Sequence, residues 1–271
     1  MTPMPLSDRR TDIDGFAIAW LGASPDAPVE LPPIVVLHGL GSSSREFTYL
    51  TKMPSFSRRR LILVDIPGFG DSDKPRDWSY AMEDHADLLA TFLDRVALGA
   101  VALVGHSMGG SIGIAMATRH PHLVERLIVA EPNLDPGTGS LSGHIARQPE
   151  SGFVKRGYDR LVYQTQREAG RGDLVASRFL ATLKQASPRA MHRAAVSLRL
   201  ERSPTFREQL ETLTIPRTLI WGANTPALDP PLADPAIAVE VIPDAGHVMM
   251  TEQPTAFAEA IHRALNDGPN P

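Results

Sequence analysis

Gly105-His106-Ser107-Met108-Gly109-Gly110 is the stretch on which the fold turns. It follows the apolar run 101–104 and leads into a helical pattern over 111–119, which stops before Pro121. A run of four Val, Leu and Ala residues is too short for a helix and suits a strand covered on both faces. Between strand and helix, G-x-S-x-G reads as a sharp turn that lifts the Ser107 hydroxyl above the sheet edge. A side chain two residues before or after the serine would collide with that turn, which accounts for Gly105 and Gly109. The helix that begins just past Ser107 aims its free N–H groups at the same point and favours negative charge there.

Similar strand patterns lie on either side. Ile34–Leu37 runs into His38-Gly39-Leu40-Gly41, and Leu61–Val64 into Asp65 and Pro67-Gly68-Phe69-Gly70. The run 127–130 ends in Glu131-Pro132, and 218–221 and Ala238–Ile242 follow late in the chain. Helical patterns over 82–96 and 254–265 separate them, the last opened by Pro254. Alternating strands and helices imply a mostly parallel sheet with right-handed crossovers. The alternation stops over 133–213, where no strand pattern occurs and Arg-dotted helical patterns cover 153–168, 173–185 and 189–200. The expected organisation is one α/β core, 1–132 with 214–271, and a helical cap at 133–213. The tail 267–271 is expected to fray.

Composition narrows the class. Twenty-seven Lys and Arg against 31 Asp and Glu leave a net charge of −4, which argues against a general nucleic-acid binder. Hydrophobic residues make up 42% and charged residues 21%, ordinary for a globular chain. The absence of cysteine excludes disulfides, thiolate metal sites and a cysteine nucleophile. No apolar run nears the ~20 residues of a membrane span, and the N-terminus lacks the apolar core of a secretion signal. A cytoplasmic protein without membrane or nucleic-acid partners is expected, acting on a small molecule. There is no H-E-x-x-H, no P-loop and no G-x-G-x-x-G, so no metal or organic cofactor is implied. The cap carries 13 Lys and Arg against 8 Asp and Glu. That excess reads as a solvated helical surface, with steering of anionic substrates the alternative.

Taken together, His38-Gly39-Leu40-Gly41, Asp65-Ile66-Pro67-Gly68-Phe69-Gly70-Asp71-Ser72, Gly105-His106-Ser107-Met108-Gly109-Gly110 and Ala245-Gly246-His247 resemble the α/β-hydrolase family, in the family's order. The resemblance implies an α/β-hydrolase fold and a serine hydrolase. Ser107 would be the nucleophile. His247, in a short loop before the last helix, would be its base. The backbone N–H groups of Leu40 and Met108 would form the oxyanion hole, with Gly39 and Gly41 leaving room for substrate. The other histidines read as turn, helix or surface residues. Asp65 reads as structural, and Trp78 and Phe47 as core side chains or pocket walls.

The third residue, which should orient the imidazole, departs from the family pattern. In many members an Asp closes a segment like W-G-x-x-D; here that segment is Trp221-Gly222-Ala223-Asn224-Thr225, and Thr225 carries no charge. Glu131, at the end of an earlier strand, offers a relocated acid, as in haloalkane dehalogenases. Their aspartate nucleophile is not shared here. Asp229 and Asp135 are the alternatives, and a fourth is no acid at all. Expected chemistry is hydrolysis of a small or medium carboxylic ester or lactone through an acyl-enzyme. Peroxyacid formation, acyl transfer and carbon–carbon hydrolysis use the same motifs, and a binding protein without turnover would keep the fold.

Overall fold

The computed structural model describes residues 4–24 and 31–266; the tail expected to fray, 267–271, lies outside them. Eight strands form one sheet: β1 (Ser7–Ile13), β2 (Phe16–Ala23), β3 (Ile34–Leu37), β4 (Leu61–Val64), β5 (Val101–His106), β6 (Val124–Ala130), β7 (Arg217–Gly222) and β8 (Ala238–Ile242). Their order is β1-β2-β4-β3-β5-β6-β7-β8, with β1 and β2 antiparallel to their neighbours and every pair from β4 to β8 parallel. This is the α/β-hydrolase fold that the motifs imply.

The hairpin β1–β2 has no counterpart in the apolar-run reading. β1 is Ser-Asp-Arg-Arg-Thr-Asp-Ile, exposed along most of its length, so no apolar period betrays it. Its mark is the turn: Asp14-Gly15 joins the strands, and Asp14 and Gly15 both take positive φ (53° and 86°). Asp-Gly is the two-residue connection that matches strand twist.

Helices α1 (Met82–Arg95) and α2 (Met108–Arg119) follow β4 and β5. Between β6 and β7 come α3 (Ser140–Ala146), short α4 (Glu150–Gly152), a π turn (Phe153–Gly157) leading into α5 (Tyr158–Ala169), then α6 (Leu174–Leu183), α7 (Pro188–Arg199) and α8 (Phe206–Thr212). Asp173 and Ser187 cap α6 and α7 through their side chains, and Thr205 with Glu208 forms a capping box on α8. α8 packs against α2, whereas α6 reaches the 3₁₀ helix Ser44–Lys52. The chain closes with α9 (Met249–Glu252) and α10 (Pro254–Asn266). One apolar core lies on each side of the sheet, one under α1 and α2, the other under α10 and the 3₁₀ helix.

Register brings the site together. Leu37 pairs with Gly105, His106 with Ala130, Ala130 with Ile220, and Gly222 with Ile242. The loops after β3, β5, β6 and β8 therefore emerge side by side at the strands' C-terminal edge. The elbow is as tight as its glycines suggest. A Cβ at Gly105 would lie 2.4 Å from the Gly109 carbonyl oxygen, and one at Gly109 would lie 2.5 Å from that of Leu37. Neither neighbour is a side chain that can swing aside.

Candidate active site

Ser107 sits between β5 and α2 with φ 50° and ψ −117°, a conformation that non-glycine residues seldom adopt. Its N–H donates to the Ala130 carbonyl at 2.8 Å, and its own carbonyl accepts from the N–H groups of Gly110 (2.9 Å) and Ser111 (3.1 Å). Those bonds hold the strained turn and set the hydroxyl at the mouth of the sheet. Glu131 repeats the pattern one strand along, with φ 43° and its N–H donating to Ile220 at 3.1 Å.

Three side chains then meet. Ser107 Oγ lies 3.1 Å from His247 Nε2. His247 Nδ1–H donates to Glu131 Oε2 at 2.7 Å. The Gly222 N–H donates to Glu131 Oε1 at 2.9 Å. The Glu131 side chain is 2% exposed against 52% for His247, so the carboxylate is fixed while one side of the ring opens outward. Burial pushes the Glu131 carboxyl up. The hydrogen bonds from His247, from the Thr225 hydroxyl and from the Gly222 N–H outweigh it, and leave the group below the usual carboxylate range. Thr225, at the position where an acid was sought, thus bonds the Glu131 carboxylate. The other two carboxylates are elsewhere: Asp135 binds Arg207 at 2.6 Å, and Asp229 is exposed.

Leu40 and Met108 flank the serine from the loop after β3 and the first turn of α2. Among the described residues, neither backbone N–H donates to another protein group. Gly39 and Gly41 do not open space for substrate as expected. A Cβ at Gly39 would lie 3.0 Å from His106 Nδ1, and one at Gly41 2.9 Å from the Phe179 ring. Protein fills both places, because α6 folds down over this loop and the His106 ring packs beneath it.

The remaining motif residues are structural. His38 bridges two loops, with Nδ1–H to the Gly39 carbonyl (2.8 Å) and Nε2 accepting from the Ile66 N–H (3.0 Å). The Asp65 carboxylate accepts from the Ser44 and Asp71 N–H groups at 2.7 and 2.8 Å. His106 Nε2–H donates to the His247 carbonyl at 2.8 Å and so pins the His247 loop to the elbow. Phe47, on the 3₁₀ helix, is buried in the core, and Trp78 stacks edge-on to His85, ring centres 4.6 Å apart. Among the described residues, no group of His, Asp and Glu is arranged to hold a metal, and no helix is long and apolar enough to cross a membrane.

The buried histidines make stability depend on pH. Burial pushes His85 down to about 4. Burial and then the neighbouring His247 push His106 down to about 3. His38 is lowered by burial too. Below about pH 6.5 the unfolded chain takes up these protons and the folded chain does not, so stability falls. Glu131 adds nothing in that window, since its stabilisation is lost only under more acid conditions. His85 and His106 are each expected to cost about 1.4 kcal/mol per pH unit between about 6.5 and 5, and His38 acts in the same direction. Urea midpoints at pH 7.5, 6 and 5 measure this; a midpoint unchanged down to pH 5 would contradict neutral burial.

This geometry on this sheet defines a class of protein, and comparison agrees. The model of the alpha/beta hydrolase family matches residues 34–260, so the chain belongs to that family. It is 29% identical over 259 residues to the mouse sn-1-specific diacylglycerol lipase ABHD11, covering 87% of this chain and 81% of that protein. Over 99 residues, 36% of each chain, it is 40% identical to the 2-hydroxy-6-oxo-2,4-heptadienoate hydrolase of Pseudomonas putida. The crystal structure of the enol-lactonase from Burkholderia xenovorans LB400 superposes with a TM-score of 0.75 at 18% identity, covering 96% of this chain and all (100%) of that one. The relatives are hydrolases, of more than one bond type.

Proposed function

We propose that the chain is a serine hydrolase of small or medium carboxylic esters or lactones, working through an acyl-enzyme without a cofactor. The supporting observation is the continuous chain of hydrogen bonds Ser107–His247–Glu131, 3.1 and 2.7 Å. His247 takes the Ser107 proton as Oγ adds to the acyl carbonyl, and Glu131 stabilises the imidazolium that forms. The oxyanion receives the N–H groups of Leu40 and Met108. The C–O bond to the leaving group then breaks, and the imidazolium returns the proton to the departing oxygen. Water repeats the sequence on the acyl-enzyme and releases the acid. The small molecule reaches Ser107 between the cap, 133–213, and the sheet edge.

Turnover of p-nitrophenyl acetate and butyrate tests this reading. Steady release of nitrophenolate is expected, preceded by a burst when hydrolysis of the acyl-enzyme is slower than its formation. The likeness to the Pseudomonas putida hydrolase favours a second reading, cleavage of a carbon–carbon bond beside a carbonyl. Inert p-nitrophenyl esters, together with release of a carboxylic acid from a vinylogous 1,5-diketone, would move that reading ahead.

A further inference from the structure

His106 closes β5 and stands directly before Ser107, yet the hydrolytic steps leave its side chain unused. The residue is 6% exposed. A carbonyl only accepts, so the 2.8 Å bond to His247 fixes the His106 proton on Nε2 and leaves Nδ1 as a lone pair. That lone pair is buried and has no partner among the described residues. Burial and then His247 push the ring down to about 3, so it stays uncharged near neutral pH. The ring therefore makes one hydrogen bond, and makes it with the residue that must face Ser107.

Sheet order shows why that bond matters. β6 and β7 stand between β5 and β8. The loop after β8 must fold back across two strand ends to bring His247 to the elbow, about 14 Å at the usual strand spacing. On the way, the Ala245 carbonyl accepts from the Asn224 N–H at 2.8 Å, and the Gly246 N–H donates to Glu252 Oε2 at 2.8 Å. Asn224 follows β7 and Glu252 belongs to α9, so neither ties the loop to β5. Among the described residues, the loop's backbone meets the elbow only through His106. The two imidazole rings also lie against each other, centres 4.9 Å apart and tilted by 46°. The His247 side chain is half exposed, so a fixed neighbour on its inner side limits how far it can swing. The same His106 ring fills the space beneath Gly39, where a Cβ would lie 3.0 Å from Nδ1 and 3.3 Å from Cε1. Gly39 precedes Leu40, so one uncharged ring touches the loop that carries His247 and the loop that carries an oxyanion donor.

Resting on the Ser107–His247–Glu131 reading, we propose that His106 is a positioning residue, which sets His247 Nε2 against Ser107 Oγ by holding the His247 carbonyl to the elbow. Three substitutions separate that bond from the volume of the ring. His106→Phe keeps a flat ring in the slot and removes the donor. His106→Asn carries an amide too short to reach the carbonyl. His106→Gln puts an amide N–H near the place of Nε2–H. The kcat on p-nitrophenyl butyrate is counted per serine titrated by a phosphonate ester, so an unfolded fraction does not enter. A second readout needs no substrate: the downfield proton NMR signal of His247 Nδ1–H in its 2.7 Å bond to Glu131. His106→Phe and His106→Asn are each expected to lower kcat about tenfold, the scale of one buried hydrogen bond lost, with KM within about twofold. Both should shift or broaden the proton signal, and His106→Gln should recover most of the rate and the signal. Either of the first two suffices if the other does not fold. An unchanged kcat and proton signal in these variants, with only the thermal midpoint lowered, would reduce the ring to packing and overturn the proposal. A His106→Gln variant no better than His106→Asn would overturn it too. A wild type inert toward esters would remove the ester reading and leave the proton signal to decide this one.

Discussion

Ser107→Ala is expected to lower kcat on p-nitrophenyl butyrate on the order of 10⁵–10⁶-fold, the scale of loss when a catalytic serine is removed from a triad that acts as a unit. The substitution deletes one oxygen, and Oγ contributes only the 3.1 Å bond to His247. The backbone bonds that hold the elbow, from the Ser107 N–H and to its carbonyl, involve no side chain. The strained φ of 50° persists with alanine, which has the same Cβ. The variant should therefore fold and bind substrate while losing the steady rate and any burst. A variant that keeps more than about one-hundredth of the wild-type kcat would point to another nucleophile or to water attack, because general-base assistance by itself contributes about 10²–10⁴-fold. A wild type as inert as the variant would favour a binding protein.

How much of this could be read without coordinates differs from residue to residue. The elbow is legible because its constraints are local: a four-residue apolar run, two obligatory glycines and a helix start all lie in one continuous stretch. The hairpin β1–β2 is not legible from apolar periodicity, because β1 is an exposed, charge-bearing edge strand, and its one strong signal is the Asp14-Gly15 turn. The meeting of Glu131 with His247 depends on register between β6, β7 and β8 across 116 residues of chain. Sequence spacing carries no such information and leaves Glu131, Asp229 and Asp135 all as candidates. The tilt of α6 over Gly41 is less legible still. It depends on how Phe179 and Met191 pack, which no local pattern encodes.

Glu131→Gln is expected to reduce kcat about 10³–10⁴-fold, with a far smaller change in KM. Glutamine keeps the shape and can still accept from the Gly222 N–H at Oε1. It cannot neutralise the imidazolium, and an amide NH₂ turned toward Nδ1 would stabilise the wrong tautomer. Asp229→Asn should leave kcat within about twofold, since exposed charges at a distance are screened. The decisive variant restores the charge from the other strand. Thr225 lies close enough to Glu131 for its hydroxyl to help hold that carboxyl ionised. Thr225→Asp in the Glu131→Gln background places a carboxylate where many relatives carry theirs, and should recover at least about tenfold of the lost kcat, because one charge-assisted bond to the ring is worth roughly 1.5–3 kcal/mol. Thr225→Asp alone should lose activity, since two carboxylates in one buried space repel and one is driven to protonate. If the double variant gains nothing while Asp229→Asn collapses the rate, the imidazole takes its charge partner from outside β6, and the geometry around Glu131 serves the fold alone.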